Sequence, residues 1–377
     1  MATAAPRILV IRRRYLGDVV LLGSVFASLR AHWPGASICV LTEAAYAEVL
    51  SLNPDVAHAL VFPSSITGWP RFIRTLRAAR FTHVLDFDNN DRTALVTRLS
   101  GAPVRVTYDR ETNPFRHSWA YTGSAKITNA FYTSEHITET YLALLGALGV
   151  PASVRTVRLV PRATDRDAVR ALLGPAAAPS PAAGRSPLTA PSGPARSAPP
   201  ASRAPRVLVH PGSRSAFRIW PAERFAAVCD RLQDELGAQV FLVAGPGEQA
   251  LVRAIRGHAQ SHLVALSQRF SVGQFAALLA EFDVMLCHDS GPMHVAASVG
   301  TPVVALFGSQ NAAIWRPLGP RHTVLQTPLP CTCLGAAAPG PCVPSDSYRS
   351  YCVRKLEPDL VFSALRTTLA DAPLRHA

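Results

Sequence analysis

Along the chain, short apolar runs alternate with longer stretches in which apolar residues return every third or fourth position. Runs such as "RILVI" (Arg7 to Ile11) read as buried strands, and the stretches between them as amphipathic helices. In the first half, strands are expected at Arg7–Ile11, Ser37–Leu41, Ala57–Phe62, His83–Phe87 and Val104–Thr107. Helices fall between them at Val19–His32, Ala44–Leu52, Pro70–Ala79 and Arg92–Leu99, and a longer one at Ser134–Leu148 follows. The second half repeats the rhythm, with strands at Arg206–His210, Gln239–Val243, Val284–Cys287 and Val303–Phe307. Its helices are expected at Ala222–Leu236, Gly247–Gly257, Val272–Glu281 and Met293–Val299. Strand and helix in alternation imply parallel sheets covered on both faces.

Between the halves lies "GPAAAPSPAAGRSPLTAPSGPARSAPPASRAPR", which has nothing to bury and reads as a disordered or extended linker. The expected organisation is therefore an N-terminal domain over 1–173, the linker over 174–206 and a C-terminal domain over 207–355. A C-terminal helix and tail over 356–377 follow, with a return onto the N-terminal domain as one option. The fold class is α/β, two doubly wound Rossmann-like domains facing a cleft, with ligands at the carboxyl ends of the strands.

A length of 377 residues suits two domains of ordinary size. No apolar run reaches bilayer-spanning length, and "MATAAPRILVIRRR" is too short in its apolar part for a secretory signal, so a cytoplasmic protein is expected. The net charge of +13 admits nucleic acid or an anionic membrane surface as partner. Aromatic residues are 7% and do not interleave with basic ones as a base-stacking surface would, so nucleic acid is not expected. Part of the excess charge sits in the linker region, at Arg185, Arg196, Arg203 and Arg206. Among seven cysteines, Cys39, Cys229 and Cys287 fall within strand or helix patterns as small buried apolar residues.

Four junctions carry candidate chemistry. In "RRRYLGDVVLLGSV" (Arg12 to Val25), Asp18 precedes an apolar helix, and reads either as a helix cap or as a catalytic carboxylate at a strand-to-helix turn. In "CHDSGPMHVAASVGTPVVALFG", Asp289 or Ser290 caps a helix, Gly291 bares the backbone amides and Pro292 suits the first turn. That is either a well-capped helix or a site for a phosphate or diphosphate, with His294 one turn in. In "VLVHPGSRSAFRIWPAERF", Ser213, Arg214 and Arg218 reach an anion or form a solvated basic loop. In "VAGPGEQ", Glu248 accepts from ribose hydroxyls or is an acid favoured by the helix dipole. Three such junctions in one half point to a nucleotide-diphosphate binder. The pair Asp86 and Asp88 in "LDFDNND" has the form of an Asp-x-Asp metal motif but lies far in sequence from these loops.

Together, "RYLGDVVLLGSVFASLR", "HPGSRSAFRIWPAERF", "GPGE" and "DSGPMHVAASVGTPVVALFG" resemble the bacterial lipopolysaccharide heptosyltransferases of glycosyltransferase family nine. The resemblance covers nearly the whole chain apart from the linker. It implies the GT-B architecture, inverting transfer and no cofactor required for catalysis. The N-terminal domain would receive a lipid-linked acceptor, and the C-terminal one a nucleotide sugar, usually ADP-heptose. Asp18 matches the family's general base. The Asp289-Ser290-Gly291-Pro292-Met293-His294 segment matches its diphosphate turn, and the loop with Ser213 and Arg218 its hydroxyl-and-cation contact to phosphate. Arg12, Arg13 and Arg14 would orient Asp18 or meet anionic groups of the acceptor, with Arg12 and Arg14 carried forward as acceptor contacts.

Some features depart from the family. Position 218 is Arg where members often carry Lys, a planar fork in place of a point charge. The tail "CTCLGAAAPGPCVPSDSYRSYC" holds Cys331, Cys333, Cys342 and Cys352, a region where members cluster cysteines and related protein heptosyltransferases hold iron. A structural zinc or iron site there stands beside reduced, unliganded thiols. The resulting expectation is heptose transfer from ADP-heptose to a lipopolysaccharide inner core, at the cytoplasmic face of the inner membrane. A protein acceptor such as an adhesin, or a basic binding protein without catalysis, are the alternatives. Oligomeric state is left open.

Overall fold

A computed structural model describes residues 5–111, 117–174, 203–214, 218–308, 310–327 and 352–371. The chain divides into two units, the first Met1–Arg162 with Asn311–Gly319, the second Ala163–Gln310 with Pro320–Ala377.

The first unit is built from β1 (Arg7–Ile11), α1 (Leu16–Leu21), α2 (Gly23–His32), β2 (Ser37–Thr42), α3 (Ala44–Leu50), β3 (His58–Val61), α4 (Trp69–Ala78), β4 (His83–Asp86), α5 (Asp91–Leu99), β5 (Val104–Arg110), β6 (Gly123–Ile127), α6 (Asn129–Ser134) and α7 (Ile137–Gly146). Its strands pair in parallel in the order β3-β2-β1-β4-β5-β6. Strand order reverses between β1 and β4, so the chain leaves these two neighbours on opposite sides and opens a crevice beyond their carboxyl ends. Register sets Ile11 beside Asp86, so the residues that follow each strand meet there. Below, Leu9, Ile11, Leu41, Val84, Phe72 and Leu76 share one apolar cluster. Asn90 starts α5 by accepting from the amides of Arg92 and Thr93, both at 3.2 Å.

The second unit opens with α8 (Ala163–Leu173) and continues through β7 (Arg206–His210), α9 (Ala222–Leu236), β8 (Gln239–Val243), α10 (Gln249–His258), β9 (Val264–Leu266), α11 (Val272–Ala280), β10 (Val284–His288), α12 (Gly291–Ser298) and β11 (Val303–Leu306). A short α13 (Ala312–Trp315) lies in the segment assigned to the first unit, before β12 (His322–Leu325) and α14 (Pro358–Asp371) return to the second. The second sheet is parallel in the order β12-β11-β10-β7-β8-β9. Its reversal falls between β7 and β10, with His210 level with Cys287. Gly237, at φ +60°, ends α9 in the left-handed conformation glycine adopts without strain, and the amides of Gly237 and Ala238 take carbonyls of its last turn at 3.0 Å.

The division of the chain differs from the expected one in one place. The end of the expected 1–173 domain forms helix α8, which belongs to the second unit: it packs on α11, with Asp165 against Gly273, so the division falls after Arg162. The C-terminal helix α14 packs on α9 and on β10, β11 and β12 of its own unit, with Asp359 bound to Arg231 at 2.6 Å. Residues 175–202 of the expected linker lie outside the described residues. Arg203 and Arg206, at its end, both reach Asp283: the Arg203 guanidinium pairs with it at 2.7 Å and the Arg206 amide donates at 2.8 Å.

Candidate active site

In the first unit, the turn after β1 brings Arg12 and Asp18 to the crevice between β1 and β4. Helix α1 begins at Leu16, so Asp18 lies in its first turn, where it caps the helix from the third position and not from the cap position itself. Its carboxylate reaches back to the Tyr15 amide, Oδ2 accepting at 3.4 Å, while Oδ1 accepts from the Tyr141 hydroxyl at 2.5 Å and pairs with Arg12. Asp18 is buried. Arg12 in turn donates to the Phe87 carbonyl at 3.0 Å and pairs with Asp88 at 3.3 Å, and its guanidinium lies over the Tyr141 ring. Desolvation opposes the charge on Arg12, but Tyr141, Asp18 and Asp88 outweigh it and hold the guanidinium above its ordinary pKa.

Asp88 accepts from the Arg13 amide at 2.9 Å, and burial, with the neighbouring Asp86 charge, pushes its carboxyl up to about 6 against the pull of Arg12. Asp86 is fully buried and used internally, accepting from the Tyr121 hydroxyl at 2.6 Å and from the amides of Asp88 and Asn89. The Asp86–Asp88 pair is thus a structural turn, and among the described residues no group of three or more His, Cys, Asp or Glu is arranged to hold a metal ion. Arg12 is committed to the two carboxylates. Arg13 and Arg14 both bind Glu43, at 2.7 and 2.8 Å, and Arg14 is the exposed member of the three.

In the second unit, the loops after β8, β7 and β10 stand side by side because those strands are neighbours. Arg218 pairs with Asp289 at 3.2 Å and so joins the β7 and β10 loops. Burial pushes the Asp289 carboxyl up to about 6, with Arg218 pulling the other way. Asp289 therefore serves Arg218 and not the helix. Ser290 occupies the cap position of α12, yet its hydroxyl turns back to the His288 carbonyl at 3.2 Å and makes no side-chain cap. Gly291 and Pro292 form the first helical positions, and His294 is buried one turn in, its carbonyl accepting from Ser298 at 2.7 Å. This is the helix-terminus arrangement that accepts an anion.

Glu248 sits at the start of α10, but its carboxylate folds over the loop instead of capping the helix. It accepts from the Gly245 amide at 2.7 Å and lies 3.7 Å from His210 Nε2. Gly212 makes this fold possible: a Cβ there would collide with the Glu248 carboxylate. Ser213 is half-buried beside it, and Arg214 is exposed. Behind the loops, fully buried His288 accepts the Trp220 amide on Nε2 at 2.9 Å, and burial pushes its imidazole down to about 3, so it is neutral.

Sequence reasoning did not name Tyr141, Glu43, His210 or His288. The histidines end their strands immediately before a turn, which was a usable signal. Tyr141 reaches Asp18 across 123 positions and had none. Of the four clustered cysteines, Cys331, Cys333 and Cys342 lie outside the described residues, and Cys352 is buried.

Two parallel doubly wound sheets with loop-built polar crevices at their switch points define a glycosyltransferase scaffold of the GT-B type. Residues 69–336 match the model of glycosyltransferase family 9 (heptosyltransferase), and the chain belongs to that family. Lipopolysaccharide heptosyltransferase 3 of Escherichia coli is 26% identical over 318 residues, covering 81% of this chain and 84% of that protein. The crystal structure of the glycosyl transferase family 9 from Veillonella parvula DSM 2008 superposes with TM-score 0.77 at 22% identity, covering 99% of each chain. The E. coli ADP-heptose lps heptosyltransferase II superposes with TM-score 0.73 at 21% identity, covering 97% of this chain and 98% of that one. No helix among the described residues is long and apolar enough to cross a membrane.

Proposed function

We propose that this glycosyltransferase moves a heptose from ADP-heptose to the inner core of a lipopolysaccharide, with inversion, and that Asp18 is its general base. The names of the two E. coli relatives support the donor and the acceptor. The observation that carries the base is the asymmetry of the Asp18 carboxylate. Oδ1 is taken by Arg12 and Tyr141, whereas Oδ2 has one long contact from the Tyr15 amide, leaving lone-pair capacity for an incoming hydroxyl.

In this reading the acceptor hydroxyl gives its proton to Asp18 Oδ2 as its oxygen bonds to the anomeric carbon. The bond from that carbon to the diphosphate breaks on the opposite face, and ADP departs with the electron pair. Arg218, Ser213 and the first-turn amides of α12 hold the diphosphate as its charge grows. Glu248 takes the ribose hydroxyls with the oxygen that Gly245 does not use. Because the acceptor is lipid-linked, the enzyme works at an anionic membrane face.

Asp18→Asn tests the base. Turnover with ADP-heptose and core acceptor should fall about a thousandfold, in the range of lost acid–base catalysis, while calorimetric ADP affinity stays within about twofold. An equal loss of both would make Asp18 structural. Titration of the wild type with ADP, UDP, GDP and TDP checks the donor, and a preference for a base other than adenine would refute it.

A further inference from the structure

We propose that the outer face of α4, with the turn that leads into it, docks the protein on an anionic lipid bilayer. The stretch between Asp55 and Asp86 carries no Asp or Glu, but places Arg71, Arg74, Arg77 and Arg80 three residues apart. Arg71, Arg74 and Arg77 lie on α4, where that spacing draws them into one stripe, and Arg80 follows in the turn just past the helix end. The opposite face of α4 is spent on the core: Phe72 and Leu76 are buried in the cluster under β1, β2 and β4, and Trp69 and Ile73 pack against it. The arginine face is exposed.

Arginines on a protein surface usually find a carboxylate or a carbonyl. Arg77 reaches the Leu99 carbonyl at 3.4 Å, but among the described residues the side chains of Arg71, Arg74 and Arg80 have no hydrogen-bond or ion-pair partner. In the turn before the helix, Ile66 is 88% exposed, and Val61, on edge strand β3, is exposed as well. A basic stripe with a large aliphatic side chain standing out beside it is suited to a membrane surface: arginines meet lipid phosphates while the aliphatic group enters the boundary of the acyl region. A nucleic-acid surface would offer aromatic rings for stacking, whereas the Trp69 ring is turned edge-on against Phe72.

The inference builds on the reading of a lipid-linked acceptor, yet its test needs neither donor nor acceptor. The full-length protein is sedimented with phosphatidylcholine vesicles, with and without a phosphatidylglycerol fraction. Wild type should bind the anionic vesicles and not the neutral ones, and binding should weaken as salt is raised. The variant R71S/R74S/R80S should bind the anionic vesicles roughly a hundredfold more weakly, since each arginine near such a surface contributes about a fivefold factor. Ile66→Ser should lower binding in a way that salt does not mimic. ADP affinity, unchanged in all variants, reports an intact fold. Undiminished vesicle binding by the triple variant, or equal wild-type binding to neutral vesicles, would overturn the proposal. So would loss of turnover by the triple variant on a water-soluble, delipidated core acceptor, which would make the stripe an acceptor contact instead. Failure of the Asp18→Asn experiment would leave the vesicle result standing, and the reverse holds too.

Discussion

Asp88→Asn removes one charge from the Arg12 network while keeping the shape of the side chain and an oxygen for the Arg13 amide. Burial raises the Asp88 carboxyl from its ordinary 3.8 to about 6, even with Arg12 3.3 Å away. A carboxyl whose folded pKa is raised favours the folded state at low pH, and that contribution is lost as pH rises through the folded value. At about 1.4 kcal/mol per pH unit, ionised Asp88 costs the folded state about 3 kcal/mol at neutral pH. Asparagine avoids that cost. The variant should therefore be more stable than wild type at pH 7.5 by up to about 3 kcal/mol, and the gap should narrow by about 1.4 kcal/mol at pH 5 as wild-type Asp88 takes up its proton. Activity should move the other way. Without Asp88, Arg12 keeps the Phe87 carbonyl but loses an ionic anchor of about 1.5–3 kcal/mol, and with it the orientation it gives Asp18. That corresponds to a fall in kcat of about tenfold or more, with ADP affinity unchanged. Urea titrations at both pH values and steady-state kinetics read the two effects. A variant less stable than wild type at pH 7.5, or one with wild-type kcat, would refute the account of Asp88 as an orienting group held at a cost in stability.

Gly212→Ala should weaken ADP binding with little loss of stability, because its Cβ displaces only the flexible end of Glu248 from the loop. Calorimetry and thermal melting check this, and a large fall in melting temperature would place the clash in the backbone instead. His288→Leu should cost about 1–3 kcal/mol by leaving the buried Trp220 amide without its acceptor, as read by denaturation; His288→Gln, which offers an oxygen, should cost less. Arg218→Gln should weaken ADP about tenfold to a hundredfold by calorimetry if the guanidinium meets phosphate, and unchanged affinity would remove it from the site.

The interior of both sheets was readable because parallel strands buried on both faces must be continuous apolar runs. β1, β7 and β8 lie where their patterns place them. Of the edge strands, β3 falls within the expected Ala57–Phe62, but β6, β9 and β12 were not legible: β6 is "GSAKI", half-exposed and poor in β-branched residues, and β9 has three residues. The helix after β1 begins at Leu16, ahead of the expected Val19, since Gly17 and Asp18 mask the first turn of an otherwise apolar pattern. Helix α8 passed unnoticed beside the Pro/Ala-rich stretch, although Val169 is its one buried residue and its partner α11 lies about a hundred positions away. In the candidate site, residues next to a strand end or a glycine turn were legible one by one. What the sequence hid is which carboxylate holds which arginine. Arg12 meets Asp88 and Asp18 meets Tyr141 only because β1, β4 and α7 converge, and no local pattern encodes that convergence.

The same topological device carries opposite electrostatics in the two units. At the β1–β4 switch point, Asp18 and Asp86 are buried, Asp88 and Arg12 are half-buried beside them, and every carboxylate has a fixed donor. Such a network is rigid and costly, and it suits a group that must present one oxygen in one direction. At the β7–β10 switch point the buried strand-end groups are histidines, with His288 held neutral and His210 also pushed down by burial. The nearby carboxyl of Asp289 is bound to Arg218, and the β7 and β10 turns each contain a glycine, at Gly212 and Gly291. With its two carboxylates, Asp289 and Glu248, taken up by Arg218 and the Gly245 amide, and with backbone amides uncovered at a helix start, this crevice suits a ligand that brings its own negative charge. The proposed division of labour between base and diphosphate thus rests on which side chains each sheet places at the ends of its two central strands.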